Sequence, residues 1–171
     1  MSKPPLPRRT DLRKFAASGA RVAGAVPLAE MTRLSAVLFA VDGSAEVELL
    51  GSIGADGYRL VMGDIKATLT LQCQRCLEAM SHEVDARVAL ALVWKEEEIS
   101  ALPARLDGLV VGSDPYDLYD LVEEELLLEL PLAPRHETAC RMSGFEPAAV
   151  EFEEPSPGPF SVLAEIKGGS R

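Results

Sequence analysis

A chain of 171 residues, 47% hydrophobic and 26% charged, has the apolar material to bury the core of one domain, typically roughly 100–150 residues, which excludes global disorder. No apolar run approaches the roughly 20 residues that span a bilayer, and the opening "MSKPPLPRRTDLRKF" lacks the apolar centre of a secretory leader, so a cytoplasmic protein without a membrane partner is expected. A net charge of −10 excludes a protein that coats nucleic acid by charge alone.

The charge is unevenly spread. Residues 1–33 hold seven bases and two acids, a balance of +5, whereas the remainder holds 10 bases and 25 acids, a balance of −15. A basic arm on an acidic body could touch RNA at one end and a basic protein at the other, although solubility alone would account for the acids.

After the extended "KPPLPRR", the stretch "TDLRKFAASG" predicts a short helix with Thr10 or Asp11 as its cap and Gly19 as its stop. "RVAGAV" predicts a strand. Behind Pro27, Leu28, Met31, Leu34 and Leu38 recur at helical spacing and predict a second helix facing the core. From Ala45 the pattern turns to strands: "AEVELLGSI", "GYRLVMG" and "IKATLTLQC", separated by "GADG" and "GD", predict an antiparallel meander. "HEVDARVALALVW" then alternates, with Val84, Ala86, Val88, Leu90, Leu92 and Trp94 on one side and Glu83, Asp85 and Arg87 on the other.

"KEEEISALPARLDG" is a polar connection and "LVV" a candidate strand. "DPYDLYDLVEEELLLELP" predicts a long helix capped by Asp114, with Pro115 in its first turn and Pro131 at its end. Leu118, Leu121, Val122, Leu126, Leu128 and Leu130 span so wide an arc that much of this helix is expected to be buried. Glu123, Glu124, Glu125 and Glu129 form a charged rim, solvated rather than catalytic because no histidine or polar partner accompanies them. Together these elements predict an α+β fold, an antiparallel sheet curved strongly or into a barrel-like form and covered by the long helix and the short N-terminal helices. One domain is expected over residues 1–140, with the basic arm at 1–33. Residues 141–171 read as a Pro- and Glu-rich tail ending in a docking segment, 160–167, where Phe160, Leu163 and Ile166 at three-residue steps could seat on the body or on a partner.

The usual catalytic patterns are missing: there is no phosphate-binding glycine loop, no nucleophile elbow and no H-E-x-x-H. No catalytic residue is assigned, and a non-enzyme is expected. Chemistry concentrates in "LTLQCQRCLEAM", where Cys73 and Cys76 end a predicted strand with Arg75 between them. Three cysteines in a reducing compartment make no disulfide framework. A strand-end C-x-x-C aims two thiolates at one point and is half of a zinc knuckle; "RHETAC" offers His136 and Cys140, which would complete the four ligands of a closed structural site. The plain alternative is two reduced thiols packing a turn. A thiol oxidoreductase is the other alternative, but such enzymes place the first thiol at a helix N-terminus, whereas strands flank this motif.

In order along the chain, "GDIKATLTLQCQRCLEAM", "DLVEEELLLELPLAPRHETAC" and "PFSVLAEIK", together with the N-terminal "PLPRR" segment, resemble the YceD family of bacterial large ribosomal RNA subunit accumulation proteins. The resemblance spans nearly the whole chain. It implies a non-enzymatic factor supporting the synthesis, processing or stability of 23S rRNA, with Cys73, Arg75, Cys76 and the acidic-leucine helix from Leu121 to Pro131 as its hallmarks. Some relatives carry a second, cysteine-rich knuckle near the C-terminus, where this chain has Cys140 alone; a structural zinc is the one cofactor left open. The implied partner is 23S rRNA or its precursor. Arg75 is the expected contact to phosphate or base, and Arg8, Arg9, Arg13, Lys14 and Arg21 supply the salt-dependent part of affinity. An ion pair with a neighbouring carboxylate is the structural alternative for Arg75. The acidic body makes a basic large-subunit ribosomal protein the alternative partner, and nothing points to DNA.

Overall fold

The computed structural model describes residues 3–138 and Cys140; the expected tail and its docking residues Phe160, Leu163 and Ile166 lie outside the described residues. Near the N-terminus a two-residue strand, β1 (Arg9–Thr10), leads into α1 (Leu12–Ser18). Asp11 starts that helix by accepting the backbone N–H groups of Arg13 and Lys14, each at 3.1 Å, and Gly19 ends it in the left-handed conformation at φ 65°. Its buried face is Leu12, Phe15 and Ala16.

Strand β2 (Arg21–Pro27) follows. Leu28, Met31 and Leu34 are buried as their spacing demands, but they do not share one helix. A 3-10 turn at Leu28–Glu30 is followed by a separate short helix, α2 (Thr32–Ser35), because Met31 between them is extended, at φ −99° and ψ 94°. The free N–H groups this break creates are taken from outside: Glu123 accepts those of Arg33 at 2.6 Å and Leu34 at 3.0 Å.

The main sheet continues with β3 (Ser44–Ile53), β4 (Arg59–Gln72) and β5 (Ala79–Val93), and ends at β6 (Asp107–Val110), in the order β2-β3-β4-β5-β6. The first four strands are antiparallel neighbours, while β6 joins β5 in parallel. The sheet is open and does not close into a barrel. The predicted turn at "GD" is absent, since β4 runs unbroken through Gly63 and Asp64. Gly63 pairs with Leu49 on one side and Val88 on the other, and a Cβ there would collide with the carbonyl oxygen of Glu48. This glycine lets two backbones approach; it does not reverse the chain.

One face of the sheet carries the core. Val47, Leu49, Ile65, Leu69, Val84 and Val88 alternate with exposed positions along β3, β4 and β5, and α1 packs over β3. At the end of β5 the alternation stops, and Leu90, Ala91, Leu92 and Val93 are all buried. There β6 flanks the strand, and a 3-10 helix, Glu96–Ala101, packs against both. Trp94, expected on the inner side, falls just past the end of the strand and is 44% exposed, with the guanidinium groups of Arg13 and Arg59 at 5.7 and 5.9 Å from the ring centroid.

The last helix begins later than its prolines suggested. Tyr116–Asp117 form β7, paired with β1, and α3 (Leu118–Leu128) starts with Asp117 accepting the N–H of Tyr119 at 2.9 Å. The Leu118 N–H goes to the carbonyl of Arg8 at 2.7 Å. Pairing with the N-terminal segment therefore keeps Asp114 and Pro115 outside the helix. Leu118, Leu121, Val122 and Leu126 are buried, but Leu128 is 75% exposed, and Glu123, expected on the solvated rim, is itself buried.

Candidate metal centre

The β4–β5 connection is a tight knuckle. Cys73 donates its N–H to the carbonyl of Glu78 at 2.9 Å, Leu77 returns its own to the carbonyl of Cys73 at 2.8 Å, and Leu77 adopts φ 63°, uncommon for a branched side chain. The Gln72 side-chain amide closes the turn by donating to the Leu77 carbonyl at 3.0 Å. This fold-back places Cys73 and Cys76 on one side, both buried.

The segment after α3 returns to meet them. Gln74 donates its N–H to the carbonyl of Pro134 at 2.8 Å, which brings "RHETAC" across the knuckle. Cys73 Sγ then lies 3.7 Å from Cys140 Sγ, and Cys76 Sγ 3.4 Å from His136 Nδ1. Donor atoms of all four residues fall within 4.8 Å of one another. Such a set could hold one metal ion. The other ring nitrogen of His136 faces the carbonyl of Ala79 at 3.2 Å. A proton on that nitrogen would donate to Ala79 and leave Nδ1 unprotonated toward the cysteines, the tautomer that a ligating histidine needs.

Arg75 is built into the same site. Its Nε donates to Cys140 Sγ at 2.9 Å, and its Nη2 to the carbonyls of Thr138 at 2.5 Å and His136 at 3.3 Å. Its partners are thus a sulfur and two carbonyls, not the carboxylate of the structural alternative. The local electrostatics favour thiolate where the chain can solvate it. Burial pushes the Cys73 thiol up, but the backbone N–H groups of Cys76, Arg75 and His136 outweigh it and bring Cys73 down to about 5. Cys140 is likewise lowered despite burial, chiefly by the Arg75 hydrogen bond, while Cys76 is raised: the Glu78 backbone lowers it, and burial with the other two cysteines overrides that. Hydrogen bonds that the protonated ring donates to Cys140 and Cys73 raise His136, so the cluster favours positive charge at the place a cation would take. A thiolate used as a nucleophile must also be reachable, and Cys73 is fully buried on a turn between strands.

The other expected contact residues sit on packed elements. Arg8 is held by Asp117 at 2.9 Å and Glu30 at 3.7 Å and lies over the Tyr119 ring. Arg13 donates to the Ser113 carbonyl at 3.1 Å, and Lys14 pairs with Asp11 at 3.5 Å. Arg9 and Arg21 are exposed and form no ion pair among the described residues. Sequence reasoning missed two partners: the Ala79 carbonyl, since a backbone acceptor leaves no mark in residue type, and the Glu123 link to Arg33 and Leu34. A helical wheel carried the signal for the second, because Glu123 stands four residues after buried Tyr119 and three before buried Leu126.

Comparison with known proteins points to one family. The family model described as Large ribosomal RNA subunit accumulation protein YceD matches residues 61–167, more than half of the chain and the part containing all four cluster residues. A Haemophilus influenzae protein named Large ribosomal RNA subunit accumulation protein YceD is 29% identical over 174 residues, covering 98% of this chain and 99% of that relative. No solved structure matches the chain.

Proposed function

The chain belongs to the YceD family of large ribosomal RNA subunit accumulation proteins, and from that premise we propose that it supports 23S rRNA accumulation by binding the rRNA or its precursor, with a zinc ion stapling the knuckle. The observation that carries the metal half is the donor geometry. A tetrahedral site with Zn–S near ~2.3 Å and Zn–N near ~2.0 Å has S···S edges of about 3.8 Å and S···N edges of about 3.5 Å. The Cys73–Cys140 and Cys76–His136 separations of 3.7 and 3.4 Å match those edges. Three thiolates leave such a centre with a surplus negative charge, and the Arg75 guanidinium on Cys140 offsets it.

The RNA half rests on the printed family name and on the placement of the bases. Arg9 and Arg21 are exposed and carry no carboxylate partner among the described residues, so they can meet phosphate without first giving up an ion pair. Arg8, Arg13 and Lys14 would have to exchange a carboxylate or carbonyl for phosphate. Arg75 acts chiefly by fixing the knuckle. Depletion in the host, read as the ratio of 23S to 16S rRNA including precursors, tests the reading. Selective loss of 23S species is expected, and an unchanged ratio overturns it. Metal analysis of purified protein tests the staple, with one zinc per chain expected and a metal-free, fully folded protein as the result that removes it.

A second reading has its own observation. With three of the five candidate bases committed internally and a balance of −15 beyond residue 33, the body is suited to a basic ribosomal protein. Pull-downs treated with nuclease separate the two, because a protein partner survives digestion and an RNA-mediated one does not.

A further inference from the structure

The side of the molecule where α3 runs past the edge of the sheet holds a groove of about 350 Å³. Its floor is apolar, made by Leu90 of β5, Leu109 of β6, and Leu121 and Leu128 of α3, with the half-buried Tyr116 ring beside them. Leu128 is 75% exposed, and neighbouring Val110 is 40% exposed on a strand that is the edge of the sheet. An exposed leucine at the mouth of an apolar groove is surface that the described residues leave uncovered.

The rim is acidic throughout. Asp107, Glu124 and Glu125 line the groove, and Asp120 and Glu129 stand on the same helix. Among the described residues none of these five has a cation within ion-pair distance. The nearby base, Arg33, is committed to Glu123 at 3.1 Å. Burial first, then the charges of Asp107, Glu124 and Glu129, raise Glu125, and burial with Glu124 and Asp120 raises Tyr116. A cationic occupant would offset those charges while burying the leucines.

We propose that this groove is a docking site for a basic amphipathic polypeptide segment, one in which lysines or arginines flank a few apolar side chains. Apolar floor and acidic rim call for both features at once, and neither a purely polar cation nor a neutral hydrophobic peptide satisfies the pair. The chain's own C-terminal stretch is a poor occupant on charge, because residues 141–171 hold five acids against three bases. The inference names a surface for the second reading above and rests on it; it requires no RNA contact.

The test is fluorescence anisotropy on the purified full chain at near-physiological salt. The probe is a short labelled peptide with leucines set among lysines and arginines, and the control replaces those leucines by serine. Binding of the probe and not of the control is expected. Leu128→Ser should weaken it about tenfold, the value of about 1.4 kcal/mol of lost apolar burial. Asp107→Lys with Glu124→Lys should abolish it; all three positions are exposed, so these variants should fold. Equal binding of the serine control, or binding indifferent to the groove variants, overturns the proposal by reducing it to general attraction between opposite charges. So does a single-stranded RNA oligonucleotide that competes the peptide out of the groove. Failure here with selective 23S loss on depletion leaves the rRNA role standing and removes the groove; peptide binding with an unchanged 23S ratio does the reverse.

Discussion

The two ends of the β4–β5 ladder are closed by different physics. At one end Leu90, Ala91, Leu92 and Val93 are all buried where β6 flanks the strand and the 3-10 helix packs against both, and removal of apolar surface from water holds the chain. At the other end, about 45 Å away along the strand at the usual rise per residue, the closing groups are three sulfurs, one imidazole and a guanidinium. A turn of eight or so residues offers too little apolar area to define itself, and converging ligand atoms can take the place of a core. Two kinds of closure on one ladder predict that global stability and local order at the knuckle can be lost separately.

Breaking the apolar end should cost the most. Leu92→Ala removes a core side chain that is 5% exposed and should destabilise the whole domain by about 2–5 kcal/mol in chemical denaturation. Next comes the link between α2 and α3. Glu123→Ala leaves the Arg33 and Leu34 N–H groups without their acceptor, at a cost of about 1–3 kcal/mol by the same measurement. This site also has a pH signature. Burial pushes the Glu123 carboxyl up, but hydrogen bonds from the Leu34 N–H and from the Arg33 side chain and N–H outweigh it and hold it below the ordinary carboxyl range. A depressed carboxylate contributes its stability above the unfolded value and loses it as pH falls through the folded one. The difference between wild type and Glu123→Gln in acid denaturation should therefore be full at neutral pH and shrink below about 4.5.

The knuckle should respond differently. Cys76→Ser, or a chelator acting on the proposed zinc, should speed hydrogen exchange at Cys73, Gln74 and Leu77, whose N–H groups the turn now protects. Global unfolding should move little. Trp94, the single tryptophan, stands at the opposite end of β5 and should keep its emission through the same titration. A coincident change in Trp94 would mean the two ends are one cooperative unit, and the contrast drawn above would fail. The smallest effect is expected for Lys66→Ala on the solvated sheet face, where both members of the Lys66–Asp85 pair are more than 60% exposed; stability should stay within about 0.5 kcal/mol.

Much of this architecture was legible in residue order alone. Alternation along β3, β4 and β5 as far as Leu90 marked the strands and their inner faces, Thr10 or Asp11 with Gly19 bounded α1, and the ligand types and spacings of Cys73, Cys76, His136 and Cys140 were enough to nominate one set. These signals are local, because side-chain period, capping and turn chemistry act over a few residues. What only the tertiary structure decided depends on groups far apart in sequence. Gly63–Asp64 continues a strand because β3 pairs along it, and the break at Met31 before α2 is accommodated because a carboxylate some 90 residues away accepts the N–H groups it frees. Helix α3 starts at Leu118 because the N-terminal segment pairs with the residues before it. Arg75, itself exposed, reaches Cys140 because the segment after α3 returns across the knuckle. A backbone acceptor, a close approach between strands and a partner supplied by another element have no residue-type code, so they exist only once the chain has folded.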